Sequence, residues 1–290
     1  MVKYYLSDRY VCPGSKDCSM PIQICRACGT SYPDAPEPPS RCPICEDERQ
    51  FVPRSGQAWT TPEQLAAGHV NAWRRLETEL FEIHTHPGFG IGQRALLLRT
   101  SEGNILWDCI SLLDDATEAL IRGLGGLQAI AISHPHYYAC MQDWARTFGC
   151  PVYLHAADAN WVMRPDPAIR HWDGETLQIA EGVTLLRLGG HFPGGSVLHW
   201  GQGAGGRGAL LSGDIVQVAA DLSRVSFLWS YPNMMPLSAA TVRHIADTLS
   251  PWAFERIYGA FPGRQVTAGG ARVVERSAAR YIELLEGGQP

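Results

Sequence analysis

Three apolar runs in this chain end at a residue type that ligates metal, and that pattern constrains the fold more than any other feature. Ala129-Ile130-Ala131-Ile132 runs into Ser133-His134-Pro135-His136, residues 183–188 run into Gly189-Gly190-His191, and residues 209–212 run into Gly213-Asp214. Short apolar runs closed by Gly, Ser or Pro read as buried strands. Strand ends along one sheet edge are where an α/β domain gathers side chains from distant sequence. In an extended backbone residues i and i+2 share a side, so His134 and His136 can close on one ion. The glycines beside His191 and Asp214 let the main chain approach closely.

The remaining elements alternate around these runs. Thr61 and Pro62 open a predicted helix over residues 61–79, with Thr as N-cap and Pro at the first helical position. A strand over 81–86 precedes a hairpin of strands 94–99 and 105–108. Further helices are expected over 114–124, 141–148, 156–163, 238–249 and 271–285, and further strands over 151–154, 176–179, 197–200 and 256–258. This mixture places the chain in the α/β (α+β) class. His84 and His86 form a second i, i+2 pair and read as hydrogen-bonded sheet-edge residues rather than ligands. His69 and His244 on helices, His155 and His199 on strands, and His171 in a loop read as structural.

With these residues in place, the sequence resembles the metallo-β-lactamase fold superfamily. The resemblance spans about residues 80 to 285 and rests on Ser133-His134-Pro135-His136, Gly190-His191-Phe192-Pro193-Gly194-Gly195-Ser196 and Ser212-Gly213-Asp214. It implies a four-layer αββα sandwich with a metal site at one edge of its two sheets. It also implies His134, His136 and His191 as the histidines of the first metal position, with Asp214 as the aspartate beside them. The activity implied is hydrolysis of a small-molecule substrate by metal-activated water.

The chain departs from the family's HxHxDH motif, with Tyr138 in place of the aspartate and Ala139 in place of the next histidine. No histidine stands in residues 258–263, where the family's late histidine is expected. The second metal position loses its own ligands, which leaves a mononuclear site for zinc or iron. Tyr138 either offers a hydrogen bond in place of the missing aspartate, as a catalytic group beside Asp214, or fills the vacated space. The alternative is a mononuclear iron oxygenase on the same fold, its iron held by His134, His191 and Asp214, or a binding protein that keeps the fold without catalysis.

The first 45 residues hold six of the nine cysteines. Cys25-Arg26-Ala27-Cys28 and Cys42-Pro43-Ile44-Cys45 are two CxxC knuckles joined by a Pro-rich connector. Together they offer a closed tetrathiolate site, expected to hold structural zinc, in a segment with too few apolar residues to fold on a core of its own. The segment looks like a zinc ribbon or the similar rubredoxin knuckle. Residues 1–58 are assigned to it, and residues 59–290 to the metallo-β-lactamase-like domain. Cys12 and Cys18 fit neither site.

Composition narrows the partners. A net charge of −5 lacks the basic excess expected of a nucleic-acid binder. No apolar run approaches the ~20 residues that span a bilayer. The N-terminus lacks the apolar stretch of a secretory signal, so the expected setting is cytoplasmic. A small molecule is the expected partner, and self-association stays open.

Overall fold

A computed structural model describes residues 21–288. Cys12 and Cys18 lie outside these described residues. The chain begins with a small antiparallel sheet in which β1 (Gln23–Cys25) lies between β2 (Ser31–Tyr32) and β3 (Trp59–Thr60).

A seven-stranded sheet follows, built from β4 (Val70–Glu77), β5 (Leu80–His86), β6 (Arg94–Thr100), β7 (Gly103–Trp107), β8 (Ala129–Ala131), β9 (Val152–His155) and β10 (Ile169–Trp172), in that spatial order. The second large sheet has six strands. β11 (Thr176–Ala180), β12 (Val183–Arg187), β13 (Ser196–Trp200) and β14 (Ala209–Gly213) are followed by Arg256–Gly259 and Gln265–Val266.

Strands β6 and β7 show why the chain forms layers. Leu97 and Leu106 face Ile121, Met141 and Trp144 of the helices Asp115–Gly123 and Met141–Phe148. Leu96, Leu98, Ile105 and Trp107 face the other way and meet Leu185, Leu198 and Leu211 of the second sheet. Alternate residues of one strand therefore serve two cores. On the far side, Val242, Ile245, Val273 and Val274 of the helices Ala239–Leu249 and Gly270–Leu285 pack on Leu186, Val197 and Leu210. The result is helix, sheet, sheet, helix, the sandwich that the resemblance implies. Arg94, fully buried and ion-paired with Glu82, also donates to the carbonyls of Gly259 (2.9 Å) and Arg264 (3.2 Å), which ties the two sheets together at one end.

The structure corrects the sequence reading in three places. Thr61 and Gln64 form a capping box, but the helix ends at Gly68 and residues 70–77 pair with β5 as an edge strand. Sheet pairing outweighs the helical propensity of Arg74, Arg75 and Leu76 there. Residues 156–161 form a 3₁₀ helix rather than an α-helix. His171 lies on the unforeseen strand β10, which pairs in parallel with β9.

Candidate metal centres

Strand β8 ends at Ala131, and His134 continues in an extended conformation before Pro135–Tyr137 turns as a 3₁₀ helix. The two histidines of this motif therefore converge through a turn and not by simple strand alternation. His191 arrives after β12, and Asp214 directly after β14. Gly213 has φ +53°, and a Cβ there would lie 2.5 Å from Ser133 Oγ, so only glycine lets the two strand ends meet this closely.

The ligand atoms of His134, His136, His191 and Asp214 lie within 4.8 Å of one another, all buried. His191 Nε2 is 3.2 Å from His136 Nδ1, close to the roughly 3.3 Å edge of a tetrahedron with Zn–N near 2.0–2.1 Å. His134 Nε2, His136 Nε2, Asp214 Oδ1 and the neighbouring Tyr137 hydroxyl have no hydrogen-bond partner. Buried polar atoms left in this way are costly unless something binds them. The outer contacts orient the rings. Ser133 Oγ stands 2.9 Å from His134 Nδ1 and donates to Asp108 Oδ1 at 2.7 Å, and His191 Nδ1 is 2.7 Å from the carbonyl of Trp229. Both arrangements turn Nε2 inward, as carboxylate and carbonyl partners do for metal-bound histidine.

Burial holds His134 and His136 well below the ordinary imidazole value and lowers His191 to about 4, so all three rings are neutral. Burial also raises Asp214 to about 7, with the Tyr137 hydroxyl acting in the opposite direction. Tyr137 is the residue that sequence reasoning missed. Its ring packs 4.4 Å from that of His134, and burial first, then Asp214, keeps its hydroxyl protonated. Tyr138 instead points its hydroxyl at the carbonyl of Asp158, 3.5 Å away. A 3₁₀ turn brings residues i and i+3 together, and that spacing was the available signal for Tyr137. His84 and His86 stay on β5, outside the cluster, with His84 Nδ1 buried and unpaired. His155 and His199 bind the carbonyls of Gly174 and Ala253.

The second centre is the tetracysteine segment. Cys25 and Cys45 sulfurs are 3.6 Å apart, and those of Cys28 and Cys42 3.7 Å. A tetrahedron with Zn–S of about 2.3 Å has edges of about 3.8 Å, whereas a disulfide needs about 2.05 Å. Gln57 Nε2 and the Tyr32 hydroxyl donate to Cys25 and Cys42 at 3.0 Å each. Hydrogen bonds from the other thiols push Cys25 down, and Cys25 in turn pushes Cys28 and Cys45 up. Four thiols this close ionise together only around a cation.

The two centres are adjacent. Ser31 N and Oγ donate to the carbonyl of Ala139, at 2.9 and 3.0 Å. Arg49 forks onto Asp47 and donates to the carbonyl of His191 at 3.1 Å, with its guanidinium 3.8 Å from the Phe192 ring centroid. The carbonyl of Glu48 accepts from Ser230 Oγ and Asn233 Nδ2, in the two-stranded hairpin of Leu228–Ser230 and Met235–Pro236 that carries Trp229.

A fold of this topology with a His-rich strand-end cluster defines a class. The family description "Metallo-beta-lactamase superfamily" matches residues 89–260, more than half of the chain, and the chain belongs to that superfamily. It is 48% identical over 268 residues to the "Uncharacterized protein YmaE" of Bacillus subtilis (strain 168), covering 92% of this chain and 97% of that one. Among solved structures, the DIM-1 metallo-beta-lactamase superposes with a TM-score of 0.56 at 15% identity, over 73% of this chain and 96% of that one. VMB-1 superposes with 0.55 at 12%, over 74% and 97%.

Proposed function

We propose that this protein is a metal-dependent hydrolase acting on a small-molecule substrate, with one cation in the cleft and a structural zinc in the tetracysteine segment. The observation that carries the reading is the buried set His134, His136, His191 and Asp214, whose ligand atoms converge while His134 Nε2 and Asp214 Oδ1 lack any protein partner. A zinc ion held there supplies a water of lowered pKa and polarises a carbonyl. Asp214 would hold that ion together with the three histidines, and its Oδ1, buried without a protein partner, is the carboxylate oxygen left to ligate or to accept a hydrogen bond. Tyr137 stays protonated beside Asp214, its buried hydroxyl without a hydrogen-bond partner of its own.

The mononuclear count is supported by the residues after His136. Ala139, at φ 43°, gives its carbonyl to Ser31, so this stretch of the family motif serves to dock the tetracysteine segment. Among the described residues only two clusters can hold a metal. Three imidazoles with one carboxylate exceed the two-histidine, one-carboxylate set of oxygen-activating iron sites, which favours zinc. None of the seven described cysteines is disulfide-bonded, in keeping with a reducing setting.

The test is hydrolysis of a panel of esters, thioesters, lactones and β-lactams by zinc-loaded protein. His134→Ala and Asp214→Ala should each lower kcat at least about a hundredfold with unchanged circular dichroism, since the metal supplies several kcal/mol of transition-state stabilisation. Hydrolysis that survives both substitutions, or cleft iron with oxygen consumption, would refute the reading.

A further inference from the structure

Above the ligand cluster lies a cavity of about 570 Å³ with His136 and Asp214 at its floor. Ile91 and Phe261 of the sandwich form one side, and Arg26 and Phe51 of the tetracysteine segment form part of the other. Phe51 is 59% exposed, a large aromatic ring left in water at the rim of the cleft. Apolar surface of this kind beside a polar site marks a place where a ligand is covered.

The charges of the wall are unequal. Arg49 is neutralised by Asp47 and occupied by the carbonyl of His191. Asp214 belongs to the metal cluster. Arg26 lies exposed on the cavity with no ion pair or side-chain hydrogen bond among the described residues. Guanidinium groups recognise carboxylates and phosphates through a planar fork of donors.

We propose that the tetracysteine segment is the substrate-recognition wall of the cleft, selecting a small molecule with an apolar body against Phe51 and an anionic group at Arg26. This rests on the reading of the floor as a metal site. The CxxC knuckle then has two tasks, since Cys25 and Cys28 hold the structural ion while Arg26 between them faces the substrate. Specificity comes from a segment outside the family-matched residues 89–260.

The test uses zinc-loaded full-length protein and calorimetric titration with ω-mercaptoalkanoates of two to six carbons, set against the matching mercaptoalcohols. The sulfur, a soft ligand, binds the cleft ion as thiolate and the tail samples the cavity. At the chain length that reaches Arg26, the acid should bind at least about tenfold more tightly than the alcohol, as a charge-assisted hydrogen bond provides. Arg26→Ala should bring that ratio close to one, and Phe51→Ala should weaken the longer acids and alcohols alike. Equal binding of acids and alcohols in the unmodified protein, or a preference that survives Arg26→Ala, overturns the proposal while the metal site stands. If no thiol of either series binds, the metal reading fails and the proposal with it.

Discussion

Ser133 does the least visible work in the cleft and the easiest to measure. Its hydroxyl links His134 Nδ1 to the buried carboxyl of Asp108, whose backbone is itself held at φ 59°. Ser133→Ala keeps the packing and deletes the link. Cleft zinc affinity, measured by chelator competition, should fall about 10- to 100-fold with the tetracysteine ion retained, the usual effect of losing an outer-shell partner. Unchanged affinity would mean that burial alone orients the ring. At this scale the sequence was informative where a ligand-type residue closed an apolar run, as His134, His191 and Asp214 do. It was uninformative one residue further on. A 3₁₀ turn replaces the extended backbone after His134, so Tyr137 and not Tyr138 comes to lie beside Asp214. Local alternation holds no warning of such a turn.

At the scale of elements, the tetracysteine segment and the cleft share one set of contacts. Asp47, Glu48 and Arg49 follow directly on the Cys42–Cys45 knuckle, and they hold His191 from two directions. Arg49 binds its carbonyl, and Glu48 fixes the hairpin whose Trp229 carbonyl orients its ring. Phe192, under the Arg49 guanidinium, packs against all three histidine rings. Arg49→Ala should therefore weaken cleft zinc about tenfold or more while the tetracysteine ion remains bound. Arg49→Lys should restore little, because an ammonium cannot grip Asp47 and the carbonyl together. Cleft affinity within about twofold of the parent would show the two centres to be independent. Such contacts were not legible beforehand, because a carbonyl 142 residues away along the chain leaves no local trace in the sequence. Pairing across strands also defeated the helix expected over 61–79, whose N-cap Thr61 was read correctly but whose length was set by β5.

For the whole molecule, both faces of β6 and β7 are apolar, and a strand buried on both sides needs a layer on each. The four-layer order came from the family resemblance, and the cores on either side of each sheet bear it out. Metal content is the property that the entire arrangement determines. The central claim is one ion in the cleft and one among the cysteines, and plasma mass spectrometry of purified protein measures it most directly. Two zinc ions per chain are predicted, falling to one in a His134→Ala/His136→Ala variant that keeps its circular dichroism. Three ions in the unmodified protein, or a count that the double substitution leaves unchanged, would contradict it.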